Sequence, residues 1–182
     1  VDAATLLIRA AARHGERPFV IDDGGAVTFA EALREAQAIA GGLISRGVAF
    51  GDTVGLCSPD SSSLVLHILG TWLVGATPAP IDPRTSDADL PYFLGDIAPA
   101  LIVSTDEHAG RLAAGSDAPV IGFDALAGEG DGGVPNRHGP ASPLFWSYTS
   151  GSTGPPKACV LQSGPVTLGT ACIAERLGLR AT

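Results

Sequence analysis

Thr53-Val-Gly-Leu-Cys57, Ser62-Ser-Leu-Val-Leu-His-Ile-Leu-Gly-Thr-Trp-Leu-Val74 and Thr77-Pro-Ala-Pro-Ile81 follow one another along the chain with short connections. The first is a short apolar run with no polar alternation, the pattern of a strand covered on both faces in a parallel sheet. The second is apolar nearly all round, so a helix there is buried. Asp60 is its expected N-cap and Gly75 its stop. Thr77 to Ile81 reads as another extended segment, and Asp82-Pro83 turns the chain after it. Strand, helix and strand in this order predict an α/β layer with a largely parallel sheet flanked by helices.

Upstream, Asp2 is placed to cap a helix that carries Leu6, Leu7 and Ala10, and Gly15 with Arg17-Pro18 ends it. Phe19-Val-Ile21 and Val27-Thr-Phe29 flank Asp22-Asp-Gly-Gly25 and predict a hairpin. Thr28 and Glu31 have capping-box spacing, opening a helix with Ala32, Leu33, Ala36, Ile39, Ala40 and Leu43 on one stripe. Downstream, Ser86 or Asp87 opens an element over Leu90 to Gly95, and Leu101 to Ser104 and Val120 to Phe123 read as strands. Gly128 to Pro140 has no apolar period and reads as a loop or linker. The expected division is therefore 1–140, an α/β subdomain, and 141–182, the start of the next part.

The chain has 182 residues and a net charge of −8. That balance disfavours nucleic acid, for which no basic patch stands out. The apolar run Leu64 to Ala76 is interrupted by His67 and is well short of the roughly 20 residues that cross a bilayer. Cys57, Cys159 and Cys172 show neither CxxC nor His-paired spacing, which predicts a reducing compartment, the cytoplasm, and no metal site. The chain begins at Val1 and contains no methionine, which leads to the expectation that it is a piece of a longer polypeptide.

Ten of the eleven basic residues are arginines, and the single lysine has a telling address. After the strand-like Pro143-Leu-Phe-Trp-Ser-Tyr148 comes Thr149-Ser-Gly-Ser-Thr-Gly-Pro-Pro-Lys157. Glycines let backbone N–H groups approach an anion, hydroxyls donate further hydrogen bonds, and one ammonium neutralises charge. Those are the demands of a polyphosphate, although by composition alone the stretch also suits a surface loop. It is not a Walker loop, because Lys157 follows Pro156 and precedes Ala158. Nor is it a hydrolase elbow, since Ser150 stands where G-x-S-x-G needs glycine and all four histidines lie upstream of Ser152. Val160-Leu161 resumes an apolar run, which predicts a strand-loop-strand hairpin followed by a helix from about Pro165 to Leu177.

Tyr148 to Lys157 resembles the signature phosphate loop of the adenylate-forming, AMP-binding superfamily, which comprises acyl-CoA synthetases, nonribosomal peptide synthetase adenylation domains and luciferases. Thr28-Phe-Ala-Glu-Ala-Leu33, Gly47-Val48 with Gly51-Asp-Thr-Val54, and Gly75-Ala76 with Pro80-Ile-Asp-Pro83 agree with the opening of that family's large domain in order and spacing. The resemblance covers essentially the whole chain. It implies the first part of an ATP-dependent carboxylate ligase that forms an acyl-adenylate from Mg²⁺·ATP, releases pyrophosphate and passes the acyl group to a thiol of CoA or a carrier protein. It further implies that Thr149, Ser150, Gly151, Ser152, Thr153, Gly154 and Lys157 bind the β- and γ-phosphates, with no catalytic residue or metal ligand in this stretch.

Two departures accompany the resemblance. Ala158 stands where the family usually has glycine, and Gln162 where it usually has His or Thr. The family's acyl and adenine pockets, its Mg²⁺ carboxylate, ribose aspartate and small C-terminal domain all fall downstream, so this stretch alone is expected to be inactive and to need the remainder of its polypeptide. An adenylation-defective scaffold, or a protein that only performs thiol transfer on a supplied acyl-adenylate, is the alternative. Trp72 and Trp146 read as packing residues, Cys159 as a buried inert thiol, and Asp82, Asp87 and Asp89 as caps and a solvated loop.

Overall fold

The computed structural model describes residues 1–59, 61–126, 136–149 and 156–178. Its centre is a four-stranded parallel sheet of β3 (Thr53–Cys57), β4 (Thr77–Pro80), β5 (Leu101–Ser104) and β6 (Val120–Gly122), in the order β4-β3-β5-β6. β3 is central, and Val54, Leu56 and Cys57 are buried as their unbroken apolar run requires.

The strand order also fixes where the helices lie. From β3 the chain passes through α3 (Ser62–Val74) to β4 on one side, then returns through α4 (Leu90–Ile97) across β3 to β5. Right-handed crossovers that move in opposite directions must put their helices on opposite faces. Accordingly α3 packs with α1 (Ala3–His14) and α2 (Phe29–Ser45) in one apolar cluster around Val54, Leu56 and Val103. α4 and α5 (Asp106–Gly115) supply Leu90, Leu94, Ile97 and Leu112 to a second cluster around Ile102. α2 and α3 approach closely because Gly70 has no side chain: a Cβ there would stand 2.6 Å from Ile39 Cγ2. Gly75 caps α3 with φ +83°, a left-handed turn that favours glycine.

The N-terminal expectations hold except at Phe29, which opens α2 rather than ending the second hairpin strand. Asp2 caps α1 through the Thr5 amide at 2.8 Å, β1 (Pro18–Asp22) and β2 (Gly25–Thr28) form the hairpin, and Thr28 with Glu31 makes the capping box. Other boundaries differ. The N-cap of α3 is Ser61, whose hydroxyl accepts from the Leu64 amide; Asp60 lies outside the described residues. α4 extends to Ile97 with Asp89 at its N-cap position, while the Asp87 carboxylate lies 2.8 Å from Arg111 Nε. β6 ends at Gly122, and Phe123 opens a 3₁₀ turn. α5 has no counterpart among the sequence expectations, since Leu112 is its one buried residue and it writes no apolar stripe.

Beside this layer stands an antiparallel hairpin of β7 (Pro143–Thr149) and β8 (Lys157–Gln162), followed by α6 (Ser163–Arg176). α6 begins two residues before the expected Pro165, which occupies the first turn where a missing N–H costs no intrahelical bond. Ser163 is buried and its Oγ accepts from the Ala3 amide at 2.9 Å, joining the starts of α6 and α1. β7 lies alongside β4, and the Trp72 indole donates to the Leu144 carbonyl at 2.6 Å, tying α3 to β7. Both tryptophans are packing residues as expected, Trp146 lying against the second apolar cluster. Among the described residues, no helix is long and apolar enough to cross a membrane.

Candidate phosphate site

β-propensity in Phe145-Trp-Ser-Tyr148 and the apolar run of β8 produce the two strands, and their register pairs Tyr148 with Ala158 and Thr149 with Lys157. Thr149 and Lys157, eight positions apart in sequence, are therefore neighbours at the end of the hairpin where the two strands are connected. Both side chains are exposed, and the Thr149 hydroxyl approaches the Lys157 carbonyl at 3.5 Å. Ser150, Gly151, Ser152, Thr153 and Gly154 lie outside the described residues.

A hydroxyl and an ammonium on paired residues can both donate to phosphate oxygens, and the ammonium, which has no lone pair, cannot ligate a cation. Among the described residues, no cluster of three His, Cys, Asp or Glu side chains could hold a metal ion. Asp82 is drawn to Arg84, whose hydrogen bonds at 2.9 and 3.0 Å pull its carboxyl down to about 2. Asp89 accepts from Ser86 at 2.6 Å. These aspartates serve local turns, as expected.

Cys159 is a correction. Its sequence context predicts a buried thiol, yet it is exposed, because among the described strands β8 pairs with β7 alone and much of it is left uncovered.

Two residues that the sequence does not single out bear on the site. The Tyr148 hydroxyl donates to Asp96 Oδ2 at 3.0 Å, and the Tyr92 hydroxyl donates to the Pro156 carbonyl at 2.9 Å. Burial first, then the Asp96 carboxylate, push the Tyr148 phenol well above its ordinary range, so it stays a proton donor. Phe93 packs edge-on against the Tyr148 ring with centroids 4.7 Å apart. Tyr92 and Asp96 have i, i+4 spacing, which places both on one side of a helix. That spacing is visible in the sequence, but nothing in it names the partners.

A model of the AMP-binding enzyme family matches residues 7–179, and the chain belongs to that family. A linear gramicidin synthase of Brevibacillus parabrevis is 32% identical over 177 residues, covering 90% of this chain and 2% of that protein. Malpinin synthetase of Mortierella alpina is 32% identical over 150 residues, covering 79% and 2%. Among solved structures, VinN superposes with a TM-score of 0.90 at 26% identity, over all of this chain and 48% of VinN. O-succinylbenzoate coenzyme A synthetase of Bacillus subtilis, solved in complex with AMP, shares the fold with a TM-score of 0.87 at 21% identity, over 99% of this chain and 47% of its own. The chain thus spans 2% of the length of these two curated relatives and about half that of the two structural neighbours.

Proposed function

We propose that this chain is the phosphate-binding part of an ATP-dependent carboxylate ligase. The complete protein joins a carboxylic acid to AMP, releases pyrophosphate and transfers the acyl group to a thiol of CoA or a carrier protein in the cytoplasm. Residues 1–140 form the supporting subdomain and 141–182 begin the next one. The observation that carries the reading is the pairing of Thr149 with Lys157 at the end of the hairpin, where a hydroxyl and the only lysine of the chain are brought together.

In this role Thr149, Ser150, Gly151, Ser152, Thr153, Gly154 and Lys157 hold the β- and γ-phosphates. Bond making at the α-phosphorus sends negative charge onto the departing pyrophosphate. Preorganised donors and one cation stabilise that charge. Mg²⁺ bound with the nucleotide would offset phosphate charge. Family membership supports the adenylation step. Thiol transfer finds support in the occurrence of a coenzyme A synthetase among the structural neighbours.

The test is carboxylate-dependent exchange of labelled pyrophosphate into ATP by the complete protein, across a panel of carboxylic and amino acids. Exchange with at least one acid supports the reading. Thioester formation from synthetic acyl-adenylates with no exchange from any acid would replace it with thiol transfer alone.

A further inference from the structure

We infer that Tyr92 and Asp96 are positioning residues that set Thr149 and Lys157 at a fixed separation, a role that rests on the phosphate-binding reading above. Each tethers one stem of the hairpin. Asp96 accepts from Tyr148, immediately before Thr149, and Tyr92 donates to Pro156, immediately before Lys157. One helix thus grips the chain on both sides of the segment 150–155.

The need for such a grip follows from the hairpin's construction. β7 is supported by β4, but among the described strands β8 pairs with β7 alone, and the pair at the end of a ribbon opens most readily. The terminal pair here is Thr149 with Lys157, and the Thr149 hydroxyl's own contact, at 3.5 Å, is weak. α4 is a firm platform. Leu90, Leu94 and Ile97 are buried in the second cluster, and Arg111 on α5 donates to the carbonyls of Pro83 and Thr85 in the segment leading into α4. Tyr92 itself is 46% exposed, so its hydroxyl contributes little to the core and much to where Pro156 sits. The Tyr92 hydroxyl donates to a backbone carbonyl, which any residue at position 156 would offer. The tether therefore constrains geometry rather than sequence.

The experiment compares Tyr92→Phe, Asp96→Leu and Asp96→Asn in the complete protein. Losing one hydrogen bond of ordinary strength predicts a rise of about three- to tenfold in KM for ATP in pyrophosphate exchange for Tyr92→Phe and Asp96→Leu. Asp96→Asn keeps an acceptor for Tyr148 and is expected to stay near wild type. Thioester formation from a synthetic acyl-adenylate involves no β- or γ-phosphate and is expected to be unchanged. Unaltered KM for ATP in both Tyr92→Phe and Asp96→Leu would overturn the inference. An equal loss in the acyl-adenylate reaction would also overturn it, marking a general structural role.

Lys157→Ala separates this failure from failure of the phosphate reading. If Lys157→Ala exchanges pyrophosphate like wild type, the phosphate reading is wrong, and amide hydrogen exchange decides the tether. Faster exchange at Tyr148, Thr149, Lys157 and Ala158 in Tyr92→Phe, with the melting temperature unmoved, supports the tether. Unchanged exchange there overturns it.

Discussion

Gly70 on α3 lies so close to Ile39 on α2 that a β-carbon at position 70 would overlap the Ile39 side chain, 2.6 Å from Cγ2 and 2.8 Å from Cβ. The Ala36 carbonyl, at 3.0 Å, closes the remaining space. Gly70→Ala must therefore push α2 and α3 apart, at a cost of about 1–3 kcal/mol. The better helix propensity of alanine offsets about 1 kcal/mol at most. A lower urea midpoint with an unchanged m-value is expected, and an unmoved midpoint would show that the helices are not in this contact.

Stability should fall on mild acidification. His67 and His138 are buried, and burial pushes both imidazoles below their ordinary 6.5. The unfolded chain protonates them near 6.5, so below that pH it binds more protons than the folded chain and stability declines. The decline ends once pH has passed the depressed folded values. Among the described residues neither buried ring nitrogen of His138 has a hydrogen-bond partner, and the nearby Asp2 carboxylate only partly opposes the burial effect. Urea midpoints at pH 7.5 and 5.5 should differ, and His138→Phe should reduce the difference. Equal midpoints in wild type would contradict the assignment.

The capping box of α2 gives a third expectation. The Glu31 amide donates to Thr28 Oγ1 at 3.3 Å, while Glu31 Oε2 accepts from the Thr28 amide at 2.9 Å. Thr28→Ala breaks the cap and should cost about 1 kcal/mol. Thr28→Ser should cost far less, and equal losses in the two variants would argue against a capping role. The measurement is again the denaturation midpoint.

Much of this architecture is legible in the sequence because it is written locally. Asp2, Thr28 and Gly75 act on neighbours within a turn or two, and the unbroken apolar run Val54 to Cys57 reports burial on both faces directly. α5 escapes because a helix with Leu112 as its single buried residue leaves no periodic trace. Cys159 departs from expectation because the burial of a strand depends on what covers it, which the strand's own residues do not record. The grip of α4 on the hairpin joins Tyr92 to Pro156, 64 positions away, and spacing within one segment cannot reveal that.

The most direct measurement is carboxylate-dependent ATP–pyrophosphate exchange by Lys157→Ala in the complete protein, with Lys157→Arg and wild type alongside. Removing the cation from a developing pyrophosphate should lower kcat/KM by about 100-fold or more, the scale seen when one preorganised donor is lost from a transition state. Lys157→Arg should recover part of that loss, since the charge is retained with altered geometry. Exchange by Lys157→Ala at the wild-type rate would contradict the phosphate-binding role of the Thr149–Lys157 pair.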